Sequence, residues 1–228
     1  MYKSIIFLNV GIILIMSSCS SSVYSPSLGL SGKNLKEKQI DISGGVGMLP
    51  ETQPNPSKEA TSGAFLKIGY GFSDNVNLNF SAWTAFSNGG ISSSRGYSLQ
   101  SRIVFHQQEK SHFEIIPRTA VLIDGNTING YGLEFAAVYI NNINDKLFFY
   151  IGAGAAAGTQ KFSKINDANQ NLVYPCGFGV IGHLAFGYNI LPKLRAVMEI
   201  NPILELDTFD DNYVNIITPS LTIGYMLK

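Results

Sequence analysis

Apolar and polar residues alternate with a period of two along most of this chain. In residues 76–82 every second residue is apolar and the others are small and polar, and the pattern recurs in 97–105 and 194–200. Successive side chains of a β-strand point to opposite faces, so this alternation predicts strands. We find no convincing helix after residue 38, and the chain is expected to be all-β.

Clusters of Asn, Asp, Gly, Pro and Ser separate the alternating segments and act as strand breakers. Ten strands are predicted: 38–48, 62–72, 75–87, 95–107, 111–124, 130–142, 146–158, 176–190, 193–206 and 214–228. Pro117, Pro202 and Pro219 fall inside predicted strands, where each removes a hydrogen bond of the ladder. If one or two assignments fail, the chain has eight strands.

The predicted connections differ in length from one end of the strands to the other. The tight ones are 73–75, 108–110, 143–145 and 191–192, and the longer ones are 49–61, 88–94, 125–129, 159–175 and 207–213. Short turns at one end and longer loops at the other are typical of an outer-membrane barrel, whose turns face the periplasm. The predicted fold is a closed antiparallel up-and-down transmembrane β-barrel with both chain ends at the periplasmic side.

Aromatic residues collect near the tight turns on the apolar phase of the strands. They are Phe72, Phe105, Phe113, Tyr139, Phe149, Tyr188 and Tyr225. In a membrane barrel these residues would form the aromatic girdle at one interface. In a soluble sandwich they would be core, although a sandwich gives no reason for them to gather at one end.

Charged residues of the strands lie on the opposite phase. This predicted lumenal network comprises Asp41, Lys67, Arg102, Glu114, Arg118, Glu134, His183, Arg195 and Glu199. The apolar phase is almost free of charge, as a lipid-facing surface requires, because a charge at the bilayer midplane costs about 2–4 kcal/mol. Balanced charges would pair and fill the lumen, and Arg102, Glu114 and Arg118 are expected to be close enough to do so. We therefore favour a closed barrel over a channel.

The N-terminus has the pattern of a secretory signal. Lys3 precedes an apolar run at 5–16, which is too short to span a membrane as a helix. The following segment, Met16-Ser17-Ser18-Cys19, resembles a bacterial lipobox, with Met16 where Leu is usual. The resemblance implies that Cys19 is diacylated and becomes the mature N-terminus. The alternative is an ordinary signal peptide in which Cys19 is incidental.

These observations divide the chain into three parts. Residues 1–18 are the expected signal peptide, 19–37 a lipidated and flexible periplasmic tether, and 38–228 the barrel. No acidic run follows Cys19, which favours a lipid in the periplasmic leaflet of the outer membrane. Apart from this covalent lipid, no cofactor is expected.

The C-terminus resembles the signal that the bacterial barrel-assembly machinery recognises. Thr222, Gly224 and Leu227 match its pattern, whereas Lys228 stands in place of the final aromatic residue. Together with the strand pattern, the chain resembles the porin-like superfamily of outer-membrane β-barrels of Gram-negative bacteria. The resemblance implies the fold, the outer membrane and its lipid as surroundings, and assembly by that machinery.

The sequence offers little for catalysis or for nucleic-acid binding. Its 16 basic and 16 acidic residues balance, whereas a nucleic-acid-binding protein needs a basic patch. Among the histidines, His106 and His112 flank a predicted periplasmic turn, and His183 is interpreted as a member of the lumenal hydrogen-bond network. Three acids at 207, 210 and 211 form a solvated loop or a weak cation site. Cys176 is the only other cysteine, and no metal-site spacing occurs.

Three functions follow from this pattern. The favoured hypothesis is a lipid-anchored barrel with a filled lumen that serves as a structural or accessory subunit of an outer-membrane complex, beside a larger barrel. The alternative is a small channel or a conduit for a hydrophobic ligand. An enzyme acting on envelope lipid or peptide would require His183 to lie beside an acid and an accessible serine. We expect no enzyme.

Overall fold

The structure of the protein is a computed structural model that describes residues 27–49, 61–87, 90–160, 176–207 and 212–227. Its strands are β1 (Ile40–Leu49), β2 (Thr61–Ser73), β3 (Val76–Ser87), β4 (Gly90–Gln107), β5 (Ser111–Asp124), β6 (Thr127–Asn142), β7 (Leu147–Gln160), β8 (Cys176–Asn189), β9 (Leu194–Asp207) and β10 (Asn212–Leu227). Within these ranges, no helix is long and apolar enough to cross a membrane. The prediction of an all-β chain with ten strands is confirmed.

Each strand pairs antiparallel with the next, and β1 pairs with β10 to close the barrel. The closing ladder, which we call the seam, runs from Ile40–Leu227 to Gly47–Ser220. It is shorter than the ladder on the other side of β10, which extends from Asn212 to Tyr225. Among the described residues, the part of β10 before Ser220 therefore has no partner on β1.

The three prolines lie inside strands and interrupt their pairing. The ladder of β4 with β5 is broken at Pro117, and the ladder of β8 with β9 is broken at Pro202. Pro219 lies where the seam ends. Because proline has no backbone N–H to donate, each one is accommodated where a ladder stops or skips.

Side chains alternate between the outside and the inside of the barrel, as the sequence predicts. On β2, Leu66 and Ile68 are exposed, whereas Phe65 and Lys67 are buried. The same alternation on the other strands leaves large apolar side chains on the outer wall, among them Phe80, Phe135, Ile151, Met198 and Ile223. An apolar wall whose strands pair into a closed ring is what hydrocarbon requires of a spanning sheet.

The two ends of the barrel are less different than the sequence suggests. We call the end with connections 74–75, 108–110, 143–146 and 190–193 the turn end, and the opposite end the loop end. The predicted longer loops at 88–94 and 125–129 are wrong, since β4 begins at Gly90 and β6 at Thr127. Gly125, with φ +57°, allows a two-residue hairpin turn. The long loop-end connections are 50–60 and 161–175.

The flexible tether predicted for 19–37 is wrong where the structure describes it. Residues 27–36, which we call the inserted segment, enter the barrel ahead of β1, and Leu28, Leu30 and Leu35 are at most 1% exposed. Leu28 and Leu30 join one apolar cluster with residues of the wall, including Val138 and Phe148. Cys19 and the predicted signal peptide lie outside the described residues.

Candidate functional site

The lumen contains all the charged side chains that the sequence assigns to it. Asp41, Lys67, Arg102, Glu114, Arg118, Glu134, His183, Arg195 and Glu199 are buried, and none is more than 7% exposed. Because an unpaired buried charge is strongly unfavourable, the partners of each one determine what the lumen can do.

Two arginines form bidentate ion pairs with carboxylates of the wall. Arg195 donates from both terminal nitrogens to Asp41, at 2.6 Å and 2.6 Å. Arg102 donates to Glu114 at 2.8 Å and 2.6 Å. Planar pairs of this kind combine strong charge-assisted hydrogen bonds with a fixed geometry. They stiffen the wall near the turn end.

The third arginine does not join the group that the sequence suggests. Arg118 pairs with Glu134 on the next strand, β6, rather than with Glu114. The other oxygen of Glu134 lies 2.9 Å from Nε2 of His183. Nδ1 of His183 lies 2.8 Å from Oδ1 of Asn201. His183 is therefore held within a lumenal hydrogen-bond network, as interpreted from the sequence.

His112 is a lumenal residue that the sequence analysis missed. It lies near a turn but is only 5% exposed, with its Nε2 3.0 Å from Oε1 of Glu114. Its position on the inward phase of β5, two residues before Glu114, is the signal that could have identified it.

Lys67 binds the inserted segment rather than a carboxylate. Its Nζ donates to the carbonyl oxygens of Leu28 and Gly29, at 2.5 Å and 2.6 Å. Backbone carbonyls are neutral acceptors, so the ammonium group is satisfied without an ion pair within 4 Å among the described residues. The wall thus uses this charge to bind the peptide backbone.

Glu199 binds the same stretch of backbone from β9. It accepts hydrogen bonds from the backbone N–H of Leu28 at 3.1 Å and of Gly29 at 3.3 Å. The hydroxyl of Ser27 also donates to it, at 2.5 Å. Hydrogen bonds from N–H and O–H donors to a carboxylate are stronger than those between neutral groups, and Glu199 thereby holds Ser27, Leu28 and Gly29 of the inserted segment.

Arg118 and Arg102 add two weaker contacts to the inserted segment. Arg118 Nη1 donates to the carbonyl oxygen of Ser27 at 3.3 Å. Arg102 Nη1 lies 3.5 Å from the hydroxyl of Ser31. The ion pairs of the wall and the inserted segment therefore form one connected polar network.

Gly29 is required where Lys67 approaches the segment. Its φ is +53°, which side chains rarely adopt, and a Cβ there would lie 2.8 Å from Nζ of Lys67. The left-handed conformation favours glycine, and a side chain there would also displace Nζ from the two carbonyl oxygens that it binds. The alternation of Leu28 and Leu30 around Gly29 is the sequence signal that the segment has a buried apolar face.

The predicted aromatic girdle lies on the outer wall near the turn end. Phe72, Phe105, Phe113, Tyr139, Tyr188 and Tyr225 are exposed, and Phe149 is half-buried. Phe149 contacts the rings of Tyr139 and Phe186, each with centroids 6.5 Å apart. These positions suit the interface role that the sequence predicts, which stays a prediction.

The residues of the predicted assembly signal lie on β10. Thr222 is buried and Leu227 is exposed on the outer wall. A Cβ at Gly224 would lie 2.6 Å from Cζ of Arg195, so this glycine makes room for the Arg195–Asp41 pair. Gly224 therefore has a packing role in the closed barrel that is independent of any assembly signal.

The catalytic alternative meets part of its condition. His183 lies beside two acids, since its Nδ1 is also 3.5 Å from Oε1 of Glu199, and Ser27 binds Glu199. Ser27, however, is only 5% exposed and its hydroxyl donates to the carboxylate rather than to the imidazole. The hydrogen bond from the serine hydroxyl to the imidazole, by which a histidine base activates a serine, is therefore not formed in this geometry.

The other candidates from the sequence are only partly described. His106 is exposed near the turn end. Cys176 begins β8, opposite Thr159, and Asp207 ends β9, whereas residues 210 and 211 lie outside the described ranges. Within those ranges, no cluster of His, Cys, Asp and Glu is arranged to hold a metal ion.

Comparison with known proteins identifies the fold. No family model matches the chain, and no curated protein matches it. An outer membrane channel from Pseudomonas putida F1 is 9% identical, with a TM-score of 0.52 over 90% of this chain and 100% of that chain.

Two further solved structures are similar over most of the chain. The N-terminal β-barrel domain of Pseudomonas aeruginosa OprF is 12% identical, with a TM-score of 0.41 over 85% of this chain and 100% of that one. The outer membrane protease OmpT from Escherichia coli is 7% identical, with a TM-score of 0.42 over 86% and 100%. The chain has a closed antiparallel ten-stranded β-barrel fold like that of outer-membrane proteins.

Proposed function

We propose that this protein is a barrel of the bacterial outer membrane whose own N-terminal segment closes the lumen, and that its role is structural rather than conductive or catalytic. The observation that carries the proposal is the binding of the same two residues, Leu28 and Gly29, by Lys67 and Glu199. A segment held through both its donors and its acceptors is a fixed part of the barrel.

Packing supports a closed lumen independently of the charges. Leu28 and Leu30 are completely buried against Ile116, Val138 and Tyr150 of the wall. Burial of a leucine side chain contributes about 1.5–3 kcal/mol, so the segment is held by apolar contact as well as by hydrogen bonds. Ions would have to displace this core in order to pass.

The proposed location follows from the wall of the barrel itself. Its outer face is apolar on every strand, and its backbone is closed into a ring. A lipid on Cys19 would add a second attachment to the membrane. We infer assembly by the barrel-assembly machinery from the resemblance of Thr222, Gly224 and Leu227 to its signal.

A closed, doubly attached barrel suits an accessory subunit beside a larger outer-membrane barrel. The test is purification of the full chain in a mild detergent, through a tag in loop 161–175, followed by mass spectrometry. Stoichiometric recovery with a larger barrel is expected. Recovery of a lone monomer from membranes cross-linked before extraction would contradict the accessory role.

Conductance in planar bilayers tests the closed lumen. The mature chain is expected to show no steady current. The double variant Lys67→Met/Glu199→Gln removes both charges that hold the segment and is expected to show intermittent openings. Its matched control is Lys146→Met, which changes an exposed turn lysine. A stable ohmic current through the unmodified protein would overturn the proposal.

The seam favours a second candidate, a conduit for a hydrophobic ligand. Before Ser220, β10 has no partner among the described residues of β1. Apolar side chains face the loop-end half of the lumen, in two clusters around Trp83 and Ile181. A disulfide introduced by Gly47→Cys and Ser220→Cys would lock the seam, and loss of uptake of a fluorescent fatty acid into proteoliposomes would favour this candidate.

A further inference from the structure

A cavity of about 280 Å³ lies at the turn end, where the inserted segment meets the wall. Residues 31–33 of the segment form one side of it, and the turns 143–146 and 190–193 contribute to the others. Small-molecule sites typically enclose about 300–1,000 Å³. This cavity is close to the lower limit of that range, so it suits a small ligand or a lipid headgroup rather than a whole lipid.

Hydrogen bonds hold the two turns together around the cavity. The backbone N–H of Asn189 donates to the carbonyl oxygen of Lys146 at 2.7 Å, and its Nδ2 donates to that of Asp145 at 3.0 Å. On the other side, the N–H of Met226 donates to the carbonyl oxygen of Lys193 at 2.9 Å. The side formed by the turns is therefore fixed by backbone contacts.

The side formed by the inserted segment is fixed as well. Nδ2 of Asn142 donates to the carbonyl oxygen of Gly32 at 2.9 Å. A Cβ at Gly32 would lie only 2.5 Å from Cγ of Phe148, so the segment packs directly on the wall here. The cavity thus belongs to the folded barrel and does not need a ligand to form it.

Two of the basic side chains at the cavity are offset by acids. Arg195 is paired with Asp41, at 2.6 Å. Lys146 follows Asp145 in the same turn, and both line the cavity. These four residues together add no net charge.

The two other basic side chains at the cavity are not offset in this way. Lys33 comes from the inserted segment and Lys193 from the turn before β9. Both are exposed, and neither has a carboxylate within 4 Å in the part of the chain that the structure describes. Two uncompensated ammonium groups at one cavity favour an anionic ligand.

Another part of the cavity lining is apolar and adjoins the outer wall. Ile190 is 48% exposed and Leu191 is 59% exposed, and Pro192 and Met226 also line the cavity. Tyr225 of the predicted aromatic girdle precedes Met226 on β10. Such girdles lie at the level of lipid headgroups. A cationic cavity with an apolar side at this level suits the headgroup of an anionic lipid.

We propose that this cavity binds the phosphate group of an anionic lipid or of a soluble phosphate ester, with Lys33 and Lys193 as its cationic ligands. A lysine ammonium group is a point charge that commonly binds phosphate. A ligand held by both residues joins the inserted segment to the wall. The inference goes beyond the proposed function, since a structural barrel needs no ligand at its turn end.

A pair of variants with the same loss of charge tests the site. The cavity variant is Lys33→Gln/Lys193→Gln. The control variant is Lys36→Gln/Lys110→Gln, which removes two exposed lysines that also lie at the turn end but do not line the cavity. The full chain and both variants are purified in a nonionic detergent and freed of lipid. Heat-modifiable migration on a gel shows that each barrel is folded.

Native mass spectrometry during titration with phosphatidylglycerol measures both the number of bound lipids and their affinity. One saturable site is expected, with an affinity about tenfold lower in the cavity variant and unchanged in the control, because each lysine beside an anionic headgroup contributes several-fold. Equal affinities of the two variants would overturn the inference. Equal affinity for phosphatidylcholine, whose headgroup has no net charge, would also overturn it.

Glycerol 3-phosphate distinguishes the two sources of the phosphate group. If it displaces the lipid and binds as tightly, the ligand is a soluble phosphate ester. If it binds much more weakly than the lipid, the acyl chains contribute and the ligand is a lipid of the surrounding membrane. Failure of both probes to bind at one site would contradict the inference. None of these measurements depends on conductance or on a partner barrel, so a failure here is distinct from a failure of the proposed function.

Discussion

Lys67 and Glu199 bind the same two residues of the inserted segment with opposite chemistry. The ammonium group of Lys67 donates hydrogen bonds to the carbonyl oxygens of Leu28 and Gly29, and the carboxylate of Glu199 accepts hydrogen bonds from the N–H groups of the same two residues. The barrel therefore recognises peptide backbone, and the side chains on either side serve to pack it.

Replacement of Lys67 by methionine, which has a similar shape, is expected to lower the free energy of unfolding by about 2–3 kcal/mol, because two buried carbonyls lose their donor. Urea unfolding in lipid vesicles, followed by fluorescence of the single tryptophan, Trp83, measures this. Lys146→Met at the exposed turn is the control. Equal stability of the two variants would show that Lys67 does not hold the segment.

Two glycines with nearly the same backbone conformation make a matched pair. Gly29 has φ +53° and faces Lys67, whereas Gly125 has φ +57° and open space around its Cβ position. Gly125→Ala is expected to cost about 1 kcal/mol for the left-handed conformation alone. Gly29→Ala should cost clearly more, because it also displaces Nζ of Lys67. The same unfolding assay compares them, and equal losses would contradict the close approach.

The pair Arg102–Glu114 is expected to behave as a buried ion pair. Arg102→Met alone should destabilise the barrel by about 3–5 kcal/mol, because it removes the guanidinium and leaves the buried Glu114 carboxylate with only the ring of His112 beside it. Arg102→Met/Glu114→Leu should recover most of this loss. A double-mutant cycle in the unfolding assay measures the coupling, and additive losses would mean that the pair is not formed.

The outer wall offers a test of contact with lipid. Phe135, near the middle of β6, is 51% exposed. Phe135→Arg is expected to cost about 2–4 kcal/mol when the barrel folds into bilayers. Ile143 is exposed to a similar extent, 53%, but lies in a turn, and Ile143→Arg should change little. Similar effects at both positions would argue against a membrane-embedded wall at Phe135.

The strands could be predicted because their signal is local. Alternation along β2, from Phe65 to Phe72, depends only on neighbouring residues facing opposite sides. The partner of Arg118 could not be predicted in the same way. Glu114 and Glu134 both lie on the inward phase, and only the register of β5 against β6, which places Glu134 opposite Arg118, decides between them.

The inserted segment was missed for a different physical reason. Backbone recognition leaves no pattern of charged or aromatic side chains in the segment that is bound. Residues 27–32 consist of Ser, Leu and Gly, a composition that is typical of a linker. Only the spacing of Leu28 and Leu30 indicates a buried apolar face. The two-residue hairpin at Gly125 was likewise overlooked, because its flanking polar residues suggested a longer loop.

The inserted segment runs directly into β1, and β1 is one side of the seam. The ring is therefore closed when β1 pairs with β10 around the inserted segment. The chain that fills the lumen and the strand that closes the ring are thus one continuous stretch, which is held by Glu199 at Ser27 and by β10 along the seam. Closure of the ring and filling of the lumen are therefore coupled, and a change that loosens one is expected to loosen the other.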